Sequence, residues 1–165
     1  MGRGCDYASA LIVALTHPSA WRDCLIIRRR ASQSCVSQAQ HGQTRLLCFV
    51  DLVVNFKEAG LESGSVETLR LDANGTATYQ CFNNGGRHPR AANKETVSDD
   101  LTASQNFPVD QNGNLVGTIS LAPPGPGSFT CPSGQTMVGP TNVSYTNIVL
   151  SDITSGATIS LGSAS

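Results

Sequence analysis

Hydrophobic and polar residues alternate strictly over residues 50–57, with Val50, Leu52, Val54 and Phe56 on one side and Asp51, Asn55 and Lys57 on the other. A period of two marks a half-buried β-strand. Ala59-Gly60 and Ser63-Gly64-Ser65 break the pattern, and residues 67–71 then lead to Asn74-Gly75 and a second run over 76–82. An Asn-Gly pair accepts the positive φ angles of a type I′ turn, so the two runs are predicted to form a hairpin around it. In its second strand Ala77, Tyr79 and Cys81 share the inward face, opposite Thr76, Thr78 and Gln80.

Shorter strands are predicted over 97–103 and 107–109. Gln111-Asn112-Gly113-Asn114 turns the chain into Leu115, Gly117, Ile119 and Leu121, which predicts a second hairpin. Pro123-Pro124-Gly125-Pro126-Gly127 is a breaker; Phe129 and Cys131 then share a face, and residues 132–134 turn into a strand over 135–138. Residues 143–150 form the longest late strand, and Ala157, Ile159 and Leu161 alternate near the end. Short strands at nearly even spacing, broken by Gly, Pro and Asn, predict an all-β fold: an antiparallel immunoglobulin-like β-sandwich of seven or eight short strands. A small barrel is the alternative. The immunoglobulin signature is incomplete, because no Trp follows Cys81 and Tyr79 precedes the first Cys of the pair instead of the second.

Composition divides the chain near Cys48. Residues 1–48 hold six Arg against two Asp, four of the six Cys and the only Trp; residues 49–165 hold five basic residues against ten acidic ones. The second stretch is expected to be the β-sandwich domain, and residues 1–48 a poorly structured or leader segment. The apolar residues 8–16 after Arg3, followed by His17-Pro18-Ser19-Ala20, have the outline of a signal-peptide core, with Asp6 against it; a disordered tail or a mispredicted start is the alternative. Position 6 also rules out a myristoylation signal at Gly2. No run of 18 apolar residues exists, so no transmembrane helix is expected. An acidic domain offers no footprint for a phosphate backbone, which argues against nucleic acid as a partner.

Cys81 and Cys131 are the only Cys after residue 49, and both are read as inward-facing on strands. Joining them closes a loop of about 50 residues, worth roughly 4 kcal/mol in the chain-entropy model. A disulfide there implies an oxidising, extracellular setting; two buried thiols in a cytosolic protein are the alternative. No second pair at C-x-x-C spacing supplies a metal site. Asn74 and Asn142 head N-glycosylation sequons, the first on its expected turn.

Catalytic chemistry is sparse. His88 is the only His after residue 49; with Asp99 or Asp100 it offers part of a triad but fixes no nucleophile. Glu58, Glu62, Glu67 and Glu95 are candidates for a carboxylate pair, read as solvent-facing. Asp110, Asn112 and Asn114 imitate the start of an EF-hand, yet Gly113 lies one place before Asn114 and Leu121 stands where the bidentate Glu belongs. A turn accounts for all three, and no metal or cofactor is expected. Residues 83–95 form the longest predicted connection of the domain. Asn83, Asn84, Arg87, His88, Arg90, Asn93, Lys94 and Glu95 provide amides and charges suited to sugar hydroxyls, carboxylates or a partner protein.

Several words of the sequence resemble a family of small secreted bacterial and fungal proteins of unassigned activity: residues 78–86, His88-Pro89, residues 91–95, residues 123–132 and residues 143–147. The resemblance spans about residues 50–155 and implies export through a signal peptide, a single disulfide and a β-sandwich. It implies no substrate and no catalytic residue. The expectation is a secreted, non-enzymatic module binding a carbohydrate or cell-wall surface through residues 83–95. Binding of an extracellular protein, as an effector or inhibitor, is the second expectation, and a hydrolase with an unidentified nucleophile the third.

Overall fold

A computed structural model describes residues 11–15, 23–40, 43–83 and 93–165, with side chains from residue 50 onward apart from Val138. The strands are β1 (Leu11–Leu15), β2 (Asp23–Gln40), β3 (Gln43–Ala59), β4 (Val66–Asn83), β5 (Lys94–Pro108), β6 (Asn114–Leu121), β7 (Gln135–Asp152) and β8 (Thr158–Ala164). They form two antiparallel sheets, in the orders β1-β2-β3-β6 and β5-β4-β7-β8. Of the segment expected to be poorly structured, residues 1–10, 16–22 and 41–42 lie outside the described residues; the rest of its backbone runs in β1, β2 and the start of β3. The change in composition at Cys48 falls within β3, which runs from Gln43 to Ala59, and coincides with no strand end.

One core joins the two sheets. Leu52, Val54 and Phe56 of β3 and Leu115, Ile119 and Leu121 of β6 are buried against Leu69, Leu71, Ala73, Ala77 and Tyr79 of β4. Val143, Tyr145, Ile148 and Leu150 of β7 and Ile159 and Leu161 of β8 complete it. In β3 the alternation holds as read from the sequence, with Asn55 and Lys57 exposed between buried neighbours. Area removed from water by these side chains supplies the main driving force, at about 25 cal/mol per Å².

The hairpin expected at Asn74-Gly75 does not exist. β4 runs straight through the pair, with Asn74 opposite Asp100 on one side and Thr146 on the other. Glycine is needed there for space: a Cβ on Gly75 would lie 2.5 Å from Leu101 Cδ1 and 2.9 Å from Pro124 Cδ. A glycine inside a strand often marks such a close approach, and the local dipeptide cannot reveal it. The strands are consequently longer than expected, and the runs over 97–103 and 107–109 belong to one strand, β5. Gly117 in β6 has the same origin, since its Cβ would meet Phe56 Cζ and Phe107 Cε1, each at 2.6 Å. Those two rings meet edge to face with centroids 5.0 Å apart.

The second expected hairpin is also corrected. The turn at residues 110–114 forms, but β5 and β6 on either side of it belong to different sheets, so the turn carries the chain across the core. Asp110 Oδ1 accepts from the backbone N–H groups of Asn112 (2.8 Å) and Asn114 (2.9 Å), and Gly113 takes a φ of 72°. This is side-chain capping of a turn, as anticipated from its Asp and Asn content.

Replacing Gly75 or Gly117 by Ala is expected to destabilise by about 1–3 kcal/mol each through overpacking. The larger effect is expected at Gly117, where two buried rings must yield; urea unfolding of both variants measures it.

Candidate functional site

β4 and β5 are joined by residues 84–93, and β6 and β7 by residues 122–134. Cys81 and Cys131 form a disulfide between these parts, with Cα atoms 5.7 Å apart. Cys81 is buried in β4 as expected; Cys131 is half-buried in a connection and not on a strand. Pro132 lacks an N–H to give to a ladder, and the Pro/Gly run upstream prevents a strand from starting. The bridge therefore ties a loop to a strand, not one strand to another.

Further bonds fix the base of the β4–β5 connection. The Cys81 N–H donates to the Asn93 carbonyl (3.0 Å), and Asn93 Nδ2 donates to Gln135 Oε1 (2.7 Å). Asn83 pairs with Gln135 at the end of β4 and is exposed. Lys94 and Glu95, expected in the loop, instead open β5 opposite Gln80 and Tyr79, and both are exposed. Asn84, Arg87, His88 and Arg90 lie outside the described residues.

The loop 122–134 is anchored by chemistry that the sequence reading did not single out. The Tyr79 hydroxyl donates to the carbonyl of Pro124, a buried proline that also closes over Gly75. Phe129 packs on the core, and its N–H donates to the Pro126 carbonyl at 3.0 Å. The Tyr145 hydroxyl donates to the Val50 carbonyl (2.8 Å) and approaches that of Leu121 (3.4 Å), linking β7 to both β3 and β6. Inward-facing Tyr at 79 and 145, each needing a partner for its hydroxyl, was the available signal.

The resolved ionisation shifts move away from neutrality. Burial raises Tyr79 above the usual phenol range. Burial, together with the charges of Asp51 and Tyr79, pushes Tyr145 up to about 12 against one opposing backbone hydrogen bond. Asp110 is held below the ordinary carboxylate value, chiefly by the Asn114 N–H it accepts. These two tyrosines stay neutral and Asp110 stays ionised at physiological pH, so none of the three is poised as a general acid or base.

Two of the four Glu read as solvent-facing are buried, which corrects that reading. Glu58 and Glu67 are 2% and 5% exposed. Each continues the inward period of its strand, after Leu52, Val54 and Phe56 in β3 and before Leu69 and Leu71 in β4. Period two outranked residue type here. Glu67 accepts from Ser65 Oγ at 2.6 Å, which satisfies part of its burial cost. Asp152 is also buried; its Oδ1 accepts from the N–H groups of Thr154 and Ser155 and shapes the turn between β7 and β8, while Oδ2 has no partner. Among the described residues no group of three or more His, Cys, Asp or Glu is placed to hold a metal ion.

The outer faces of β4, β5 and β7 carry a ladder of small polar side chains. Thr68 Oγ1 donates to Asn106 (2.9 Å), Thr76 pairs with Ser98 (3.1 Å) and Thr78 with Thr96 (3.0 Å). Asn74 Nδ2, the nitrogen of the first sequon, donates to Asp100, and its Oδ1 accepts from Asn147 at 2.6 Å. Asn74 is therefore mid-strand and engaged, not on the turn expected for it. Asn142 is exposed in β7. Asp99 and Asp100, considered as triad partners, lie in β5, where Asp99 Oδ1 accepts from the Asp100 N–H at 2.9 Å.

Comparison with protein-family models, with characterised proteins and with solved structures yields no match to this chain.

Loss of the disulfide in Cys81→Ser/Cys131→Ser is expected to cost roughly 4 kcal/mol in the chain-entropy model. Tyr79→Phe, which strips the buried Pro124 carbonyl of its donor, is expected to cost about 1–3 kcal/mol. Chemical denaturation of the oxidised protein measures both. The Asp110 carboxyl, lower in the folded than in the unfolded chain, contributes stability that is present above its unfolded value and lost as pH falls through the folded one. An NMR titration should place its midpoint below that of ordinary aspartates, and Asn112→Pro, which removes one of the donated N–H groups, should move it back up.

Proposed function

We propose that this protein is a small secreted, non-enzymatic binding module built on an immunoglobulin-like sandwich. The connectivity supports the fold assignment: β5-β4-β7-β8 follows the C′-C-F-G order of such domains, and the β3–β6 pair follows B–E. The observation that carries the functional reading is the clamped base of the β4–β5 connection. Cys81–Cys131, the Cys81–Asn93 backbone bond and the Asn93–Gln135 side-chain bond hold both stems of one loop against another. Fixing the stems lowers the entropy cost of presenting a loop to a ligand.

The ligand class proposed is a carbohydrate or cell-wall surface, met by Asn83, Asn84, Arg87, His88, Arg90 and Asn93. Amides and guanidinium groups offer paired donors and acceptors for vicinal hydroxyls and carboxylates. Export and a disulfide belong to this reading together, because such bonds persist in oxidising compartments. Of the two sequons, Asn142 is the better glycan acceptor in the folded protein, since Asn74 Nδ2 is already engaged by Asp100.

The triple variant Arg87→Ala/His88→Ala/Arg90→Ala is expected to keep the parent's melting temperature and lose retention on the polysaccharides that the parent binds on a glycan array. Unchanged retention on all of them refutes the loop assignment. Intact mass of the exported product, with and without reductant, tests secretion, disulfide and glycan occupancy in one measurement.

A further inference from the structure

β5 forms one margin of the β5-β4-β7-β8 sheet. β5 spans 15 residues and, among the described residues, pairs along its length with β4 alone, in fifteen consecutive matched pairs without a register shift. Edge strands are ordinarily blunted by bulges, proline or charged side chains, inward-pointing ones included. β5 has Lys94 and Pro108 only at its two ends, and the charges along it, Glu95, Asp99 and Asp100, are all acidic, so the edge is closed to a strand that cannot neutralise them. The bulges of this sheet sit instead in its interior, in the β4–β7 and β7–β8 pairings.

The side chains of β5 give the edge a definite chemistry. Glu95, Val97, Asp99, Leu101 and Ala103 lie opposite Tyr79, Ala77, Gly75, Ala73 and Leu71, so they point toward the core side of the sheet. Val97, Leu101 and Ala103 pack on the core while remaining only partly covered; Glu95 and Asp99, on either side of Val97, are exposed. Asp100 adds a third carboxylate on the outer side. The margin is thus an apolar strip interrupted by acids, bordered by backbone groups facing outward.

We propose that the free edge of β5 binds an extended, basic peptide segment of a partner protein by strand addition. Main-chain hydrogen bonds would continue the sheet, and alternate side chains would meet Val97, Leu101 and Ala103. Carboxylates that lose water beside an added strand must be neutralised, so Glu95 and Asp99 select Lys or Arg at the positions facing them. A second copy of β5 fits poorly, because it would bring the same acids and a single Lys to the same strip. This site is separate from the proposed ligand loop: its residues begin where that loop ends.

The test uses the full chain and a fluorescein-labelled synthetic peptide, Val-Thr-Val-Thr-Lys-Thr-Val-Thr-Lys, whose inward residues match Ala103, Leu101, Asp99, Val97 and Glu95 in antiparallel register. Saturable binding by fluorescence anisotropy is expected, with none for the peptide carrying Glu in place of both Lys. Two N-methylated isomers, blocked at alternate amides along one edge or the other, should separate, one losing binding and one keeping it. Glu95→Gln/Asp99→Asn should weaken binding about threefold to tenfold with an unchanged circular dichroism spectrum; Asn at 99 keeps the acceptor for the Asp100 N–H. No binding, equal binding of both methylated isomers, or an unaffected double variant overturns the proposal. A dimer in sedimentation analysis that the peptide dissociates would assign the edge to a second copy and overturn it equally.

Discussion

The fold depends on how the inner face of the long β4–β5–β7 sheet is covered beyond the end of β6. Leu121, the last residue of β6, reaches only the level of Tyr145, which stands opposite Gly75. β4 continues to Asn83 and keeps Ala77, Tyr79 and Cys81 buried along the way. Residues 122–134 provide cover there through the Tyr79–Pro124 hydrogen bond, the contact of Pro124 with Gly75 and the Cys81–Cys131 bridge. A loop rich in Pro suits this task, because it loses less conformational entropy on ordering than a more flexible chain. The disulfide then limits how far that cover can open.

This dependence explains which features were legible in the sequence. Leu52, Val54 and Phe56, or Ile159 and Leu161, declare themselves because the sheet period is local. The turn at Asp110 is equally local, since its capping bonds span no more than four residues. Gly75 was misread because its neighbours Leu101 and Pro124 are 26 and 49 positions away, and the same Asn-Gly dipeptide serves a turn when nothing crowds it. The Cys pair was legible as a pair, but the location of Cys131 depended on a loop folding back across the sheet end. Glu58 and Glu67 were readable from period alone and hidden by a general expectation about charged residues.

The candidate site was legible to a lesser degree. Composition drew attention to residues 83–95, yet the bonds that hold the stems involve Gln135 and Cys131, which no local pattern links to them. The large inward tyrosines gave a usable signal: a buried phenol needs an acceptor, and two of them at one end imply that backbone carbonyls converge there. The outer polar ladder needed the β4–β5 register, which the false hairpin had hidden.

The interior bulges and the regular edge have a common physical cause. In β7 the buried residues change from Val143 and Tyr145 to Ile148 and Leu150, a switch of parity that an unbroken strand cannot make without turning one set to solvent. The extra residue is absorbed between Tyr145 and Ile148, where Asn147 adopts a φ of 51° and turns its amide toward Asn74. A second shift, between Thr78 and Gln80 of β4, lies opposite the stretch of β7 containing Pro140, which has no N–H for a ladder. These irregularities keep Met137, Val143, Tyr145, Ile148 and Leu150 of β7 on the core while β4 remains straight. Because β4 stays straight, β5 can follow it pair for pair, so the regularity of the exposed margin goes with register shifts taken up one strand away.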